Sequence, residues 1–187
     1  MPLSQSSGPV ARSVGVLLAA GAGRRYGKPK VLVEGWLDAA VTALLGGGCD
    51  DVVVVLGAAE VSIPAGATAV VAPDWDQGLS ASVRAGLAQA DRMGADYAVL
   101  HVIDTPGTGP DVVARVLGRA AASPGGLARA HFGDRPGHPV VLARRHWPAV
   151  LARLSGDRGA AGFLSGRDDV EIVECGDLAD GRDVDEP

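Results

Sequence analysis

Apolar and polar positions fall in blocks of two lengths along this chain. Short uninterrupted apolar runs recur at residues 14–20 (VGVLLAA), 51–56 (DVVVVL), 68–71 and 96–103 (DYAVLHVI). Runs this short, with no polar alternation, are the pattern of strands buried on both faces. Longer segments between them carry apolar residues at helical spacing. Leu37, Val41, Leu44 and Leu45 predict a helix over residues 36–45, stopped by the glycines at 46–48. A second helix is predicted from the loop at 78–84 to about Met93, with serines as capping options. A third is predicted over Pro110–Ala122, with proline at its first turn. Beyond it, residues 127–131 and 139–143 read as strands around a polar loop, 133–138. Residues 147–154 and 159–164 read as helices, and 170–173 as a last strand. Strands alternating with helices predict an α/β fold: a three-layer α/β/α sandwich on a Rossmann-like, mostly parallel sheet. Ligands in such folds bind beyond the carboxyl ends of the strands.

Composition supports one packed domain. Of 187 residues, 47% are apolar but only 4% aromatic, so the core is built from small and β-branched side chains. Residues 1–13 (MPLSQSSGPVARS) are polar, have no hydrophobic signal region and read as a flexible tail. Residues 14–187 read as a single domain, with no repeat or linker dividing them. The net charge of -5 argues against a general nucleic-acid or anionic-membrane binder. No apolar stretch reaches membrane-spanning length. Cys49 and Cys175 lack metal-binding spacing and read as ordinary thiols of a cytoplasmic protein.

Against this acidic background the loop after the first run stands out. Gly21, Gly23 and Gly27 punctuate a segment carrying Arg24, Arg25, Lys28 and Lys30. A glycine loop offers backbone N–H groups to phosphate oxygens, arginine adds a fork and lysine a mobile point charge. It is not a dinucleotide fingerprint, because Tyr26 stands where the third glycine belongs. Nor is it a P-loop, because Ala22 and Pro29 replace the first glycine and the metal-binding hydroxyl.

The stretch from Leu18 through Ala19, Ala20, Gly21, Ala22 and Gly23 to Arg25 and Lys30 resembles the signature LAAGxGxRxGxxK of the nucleotidyltransferases. It is most similar to the MobA-like branch that attaches a nucleotide to molybdopterin. Further segments carry the resemblance nearly to the end of the chain. Gly78-Leu79-Ser80-Ala81-Ser82-Val83-Arg84 resembles the segment that recognises base and ribose, and Asp104-Thr105-Pro106 the metal position. Gly137-His138-Pro139 and Ser155-Gly156-Asp157-Arg158-Gly159-Ala160 resemble segments of the molybdopterin cytidylyltransferase (MocA-like) branch. Asp183-Val184-Asp185-Glu186-Pro187 resembles an Asp-x-Asp-Thr-Pro segment, with Glu186 in place of threonine.

The resemblance implies a Mg²⁺-dependent transfer of a nucleoside monophosphate from an NTP, CTP first and GTP as the alternative, to molybdopterin. Arg25, Lys30 and Asp104 would be catalytic. Residues 18–23 with Ser80, Ser82 and Arg84 would hold the nucleotide. Gly137, His138, Asp157 and Arg158 would line the acceptor side, and Asp104 with Asp183 or Asp185 would hold the metal. A molybdoenzyme is the implied partner. Two alternatives stay open: a transferase acting on a sugar phosphate or other small phosphate, and a non-catalytic nucleotide or cofactor carrier. Among the histidines, His101 inside an apolar strand reads as a hydrogen-bonded core residue and not a base.

Overall fold

The computed structural model describes residues 10–186. Strands β1 (Ser13–Leu18), β2 (Asp51–Leu56), β3 (Ala67–Val71), β4 (Tyr97–Val102), β5 (Leu127–Phe132), β6 (Arg135–Ala143) and β7 (Glu171–Glu174) form one sheet. Their order is β3-β2-β1-β4-β6-β5-β7. Every strand runs the same way except β6, which is antiparallel to both β4 and β5. Helices α1 (Trp36–Gly46) and α3 (Pro110–Ala122) cover one face. Helices α2 (Leu79–Arg92), α4 (Trp147–Arg153) and α5 (Ala161–Leu164) cover the other. β1 is buried along its whole length, as expected of a strand between two helical layers.

Four expectations change. Residues 1–9 of the anticipated tail, like Pro187, lie outside the described residues, but the tail does not extend to residue 13. The Arg12 backbone N–H donates to the Asp96 carboxylate at 2.8 Å, and Ser13 opens β1, its N–H donating to Asp50 at 2.8 Å. At its other end β1 stops at Leu18, and Ala19 and Ala20 stay buried as the chain turns out. The polar loop at 133–138 is a two-residue turn, and β6 takes up Arg135 onward, including Gly137 and His138. An antiparallel hairpin needs only two residues to reverse, and a register shift between Arg129 and His131 absorbs the irregular proline-rich start. Finally, α2 is preceded by Gly78 and has no side-chain cap, so the serines there serve other ends.

Candidate active site

The chain runs outward from β1 through β2 to β3, then returns to the other side of β1 as β4. The order therefore reverses between β1 and β4, whose last residues, Leu18 and Val102, lie side by side. A sheet of this kind leaves a crevice at that reversal. Here it is a cavity of about 470 Å³, within the range of small-molecule sites. The loop after β1, the start of α2, Asp104 after β4, Asp157 and Asp185 wall it.

Local packing fixes the loop. Gly23 has φ +60°, and a side chain there would overlap the Lys28 carbonyl. Its own carbonyl accepts the Gly27 N–H at 2.8 Å. The Tyr26 ring stands 5.6 Å from that of Trp36, tilted 57°, and ties the loop to the start of α1. Val31 is buried beneath, so its neighbour Lys30 is held with only 12% of its side chain exposed, against 77% for Arg25.

Lys30 Nζ donates to Asp104 Oδ2 at 3.1 Å and to Asp185 Oδ1 at 2.9 Å. Arg25 Nη1 lies 3.1 Å from the other oxygen of Asp185. The segment carrying Asp185 is attached at the same place, the Val184 N–H donating to the Asp104 carbonyl at 2.8 Å. Burial works against the charge on Lys30, but the hydrogen bond and charge of Asp185, with those of Asp104, outweigh it and raise its pKa. The bond from Lys30 is the main reason that the Asp185 carboxyl lies below its ordinary range. Asp183 behaves oppositely. Desolvation, then repulsion from Asp104 and Asp185, raises its carboxyl, with Lys30 and Arg135 opposing.

Most of the expected nucleotide residues line this cavity: Leu18, Ala20, Gly21, Ala22, Gly23, Arg25, Lys30 and Ser82, along with Asp104 and Asp185. Ala19 does not, because alternation along the strand sends it to the α1 and α3 face. Ser80 is buried away from the cavity, its hydroxyl unpartnered among the described residues. Arg84 lies exposed on the outer side of α2 and is not among the cavity walls. Asp183 sits beside the cavity without lining it.

Of the residues expected on the acceptor side, His138, Asp157 and Arg158 line a second cavity of about 190 Å³, which shares Leu18, Leu79 and Asp157 with the first. Gly137 does not reach it. Its Cα faces the Phe132 ring and its carbonyl accepts from Arg129 Nε at 3.2 Å. The two cavities are joined by packing at Gly78, whose φ is +110°. A side chain there would meet Asp157 Oδ1 at 2.5 Å and the Gly156 carbonyl carbon at 2.7 Å. Burial, reinforced by Arg129, pushes the His138 pKa down to about 4. His101, 1% exposed, is pushed down to about 3 by burial and then by His138, with Asp104 opposing. It is a neutral core residue, as its strand setting predicts, but the expected hydrogen bond is missing at Nδ1, which is buried with no partner among the described residues.

Sequence reasoning missed Trp75 and Asp76 in the first cavity and Arg129 in the second. Trp75 and Asp76 form a short turn directly before Gly78, so the motif could have been read three residues earlier. Arg129 had a clearer signal: a lone charge between the buried Ala128 and Ala130 of an apolar strand.

Residues 15–171 match the MobA-like NTP transferase domain. The chain belongs to the MobA-like NTP transferase family. As a member it is a nucleotidyltransferase. Its relatives fit the MocA-like branch. A protein named nicotine blue oxidoreductase, from Paenarthrobacter nicotinovorans, is 36% identical over 189 residues, spanning 91% of each chain. The crystal structure of Rv0371c from Mycobacterium tuberculosis H37Rv is 29% identical, covers 94% of each chain and has a TM-score of 0.74. A second structure of Rv0371c, described as a complex with manganese, is 27% identical over 88% of each chain, with a TM-score of 0.66. More distantly, 4-diphosphocytidyl-2C-methyl-D-erythritol synthase from Anaerococcus prevotii is 11% identical, covers 94% of this chain and 93% of its own, and has a TM-score of 0.65. That likeness extends the shared fold beyond the family.

Proposed function

We propose that this protein transfers a nucleoside monophosphate from CTP to a phosphorylated acceptor, molybdopterin by resemblance, and releases pyrophosphate. The observation that carries the reading is the meeting of Lys30 with Asp104 and Asp185 in a nucleotide-sized cavity at the chain reversal. An acceptor phosphate oxygen attacks the α-phosphorus, a new P–O bond forms, and the bond to the α,β-bridging oxygen breaks. Its electron pair leaves with pyrophosphate. The acceptor phosphate is already ionised, so no general base is required. Lys30 and Arg25 stabilise the charge that builds on the leaving group, and backbone N–H groups at Gly21, Ala22 and Gly23 orient the triphosphate. Ser82 lies along the nucleotide, and Asp157 stands between nucleotide and acceptor.

The donor set suits Mg²⁺ or Mn²⁺, hard cations that take one or two carboxylates and fill their remaining positions with phosphate oxygens and water. Asp104 and Asp183 would hold the ion: both oxygens of Asp185 are engaged by cationic side chains, whereas Lys30 takes only Oδ2 of Asp104. The repulsion felt by Asp183 is what a divalent cation relieves. When bound, the ion neutralises charge on the triphosphate. The manganese complex of Rv0371c supports a divalent ion. Among the described residues no helix is long and apolar enough to cross a membrane, and both cysteines are free and buried. The reading places the enzyme in the cytoplasm, and the family resemblance supplies a molybdoenzyme as its partner.

The test is a matrix of NTPs against phosphorylated acceptors with Mg²⁺ or Mn²⁺, read by pyrophosphate release. Release with CTP and molybdopterin is expected; GTP in place of CTP would move the base choice, and a sugar phosphate the acceptor. No release in any cell of the matrix overturns the transferase reading. The name of the 36% identical relative supports a second reading, an oxidoreductase acting in the same cavity. That reading leaves the Lys30, Asp104 and Asp185 cluster without a task. Oxidation of NADH or NADPH by an added dye, unaffected by Asp104→Asn, would establish it.

A further inference from the structure

The second cavity contains a cation with no counter-ion. Arg129 projects from β5 between the buried residues Ala128 and Ala130, opposite Val140 of β6. Its side chain is half-buried and opens onto a cavity whose other walls include Leu100, Val140, Ala160 and Leu164. Its one hydrogen bond is from Nε to the Gly137 carbonyl. No carboxylate oxygen comes within 4.0 Å of its guanidinium among the described residues. Other arginines show the usual arrangement. Arg115 meets Asp177, Arg144 meets Asp91, and Arg167 meets Asp169, all near the surface.

A partly desolvated charge without a partner is costly to fold around. Burial lowers the Arg129 pKa, and no acidic neighbour offsets it. Around it the titratable groups are arranged to leave the positive charge uncancelled. His138 is held neutral by burial and by Arg129 itself. His131 is lowered by burial and then by Arg129, with Glu174 opposing. Arg158 faces the same cavity, and the acid facing it is Asp157, on the wall shared with the nucleotide cavity. His101 of β4, which feels the charge of His138 and not of Arg129, is also neutral.

We propose that Arg129 anchors the terminal phosphate of the acceptor: the second cavity takes a phosphate monoester and seats the apolar part that adjoins the phosphate. The guanidinium binds the phosphate, and Leu100, Val140 and Leu164 seat the apolar part. This rests on the transferase reading for the word acceptor, but not for the binding itself. The shared wall at Leu18, Leu79 and Asp157 places such a phosphate next to the nucleotide cavity. Arginine suits the task because its planar fork meets two phosphate oxygens at once and is more weakly hydrated than an ammonium.

The probe is phenyl phosphate, with inorganic phosphate and benzyl alcohol as the charge-only and apolar-only arms. Binding to the full chain is measured by calorimetry for the wild type, Arg129→Met and Arg129→Lys, with CTP and Mn²⁺ binding as the control. Phenyl phosphate is expected to bind more tightly than either half-probe, to weaken at least tenfold in Arg129→Met and to fall between the two in Arg129→Lys. CTP binding should change less than twofold. In buffer without multivalent anions Arg129→Met should melt at or above the wild type, and phenyl phosphate should raise only the wild-type Tm.

Equal phenyl phosphate affinity in wild type and Arg129→Met overturns the proposal. So does a lower Tm of the folded Met variant in anion-free buffer, which would make Arg129 structural. If Arg129→Met fails to fold, Arg129→Lys decides by the same affinity comparison. Arg129-dependent phenyl phosphate binding without pyrophosphate release in any assay would end the transferase reading and leave this anchor standing. Pyrophosphate release with an acceptor KM unchanged in the variant would end the anchor alone.

Discussion

Lys30 and Arg129 are half-hidden cations in adjoining cavities, and they rest in opposite states. Lys30 is neutralised from within, gripped by Asp104 and Asp185, while Arg25 closes on the same Asp185. Arg129 has a carbonyl and no acid. The contrast separates two ways of preparing a site for phosphate. In the first, carboxylates occupy the positions a triphosphate will take, so the cavity is stable when empty and its ligand must replace a partner. In the second, the charge is left waiting, and the empty state bears the cost until an anion arrives.

The largest test of this contrast is removal of the engaged cation or its acid. Lys30→Ala and Asp104→Asn should each lower pyrophosphate release by roughly 100- to 1,000-fold, the loss associated with a fixed transition-state donor, and leave phenyl phosphate binding intact. Near-normal turnover in both would break the site assignment.

Next comes pH, where the two regions separate by window. His101 and His138 have folded pKa values of about 3 and about 4, below the ordinary 6.5. The unfolded chain therefore takes up their protons first, and stability falls as pH drops from 6.5 toward 3. Asp185, depressed by its bond to Lys30, adds stability above its ordinary carboxyl range and loses it only as pH falls below about 3.8. A Tm profile should show the histidine decline first. His101→Leu should flatten it, and Asp185→Asn should change only the acidic end. Identical slopes in all three proteins would assign the loss to other groups.

A smaller effect is expected at the strap of chain itself. Asp185→Asn frees Lys30 and Arg25, so CTP should bind about 3- to 10-fold more tightly in EDTA, the worth of two partly exposed ion pairs. Calorimetry checks this, and weaker binding would show that Asp185 assists the nucleotide directly. Smallest of all, Arg84→Ala should keep turnover within about twofold, because the side chain faces away. Ser80→Ala should keep or slightly raise the Tm, since it removes a buried hydroxyl with no partner.

Much of this frame was legible before any coordinates. DVVVVL needs no tertiary help to declare a buried strand, and Pro110 opens its helix as predicted. The direction of β6 was not legible, because residue order says nothing about which way a strand runs, and its start is masked by two prolines and a glycine. In the site, Arg25, Lys30 and Asp104 could be read because each sits at a strand end or in its loop. Ser80 and Arg84 could not be placed by motif alone. Helical period was the better guide there, since Arg84 shares the exposed side of α2 with Ala88 and Asp91. Arg129 was lost for the converse reason: a strand pattern gives every residue on one face the same label, whether it is core or cavity wall.

One bond in this site also orders events in time. Lys30 and Asp185 stand 155 positions apart, and loops of that span close late because their entropy must be offset before the contact helps. A ribosome making this chain has released β1 to β4 long before it reaches Asp185. The nascent sheet can pair and cover its faces while Lys30 still has only Asp104 beside it. Site completion therefore waits for the segment that carries Asp185, and amide exchange should find the Val184 tether opening well before the strands it rests on.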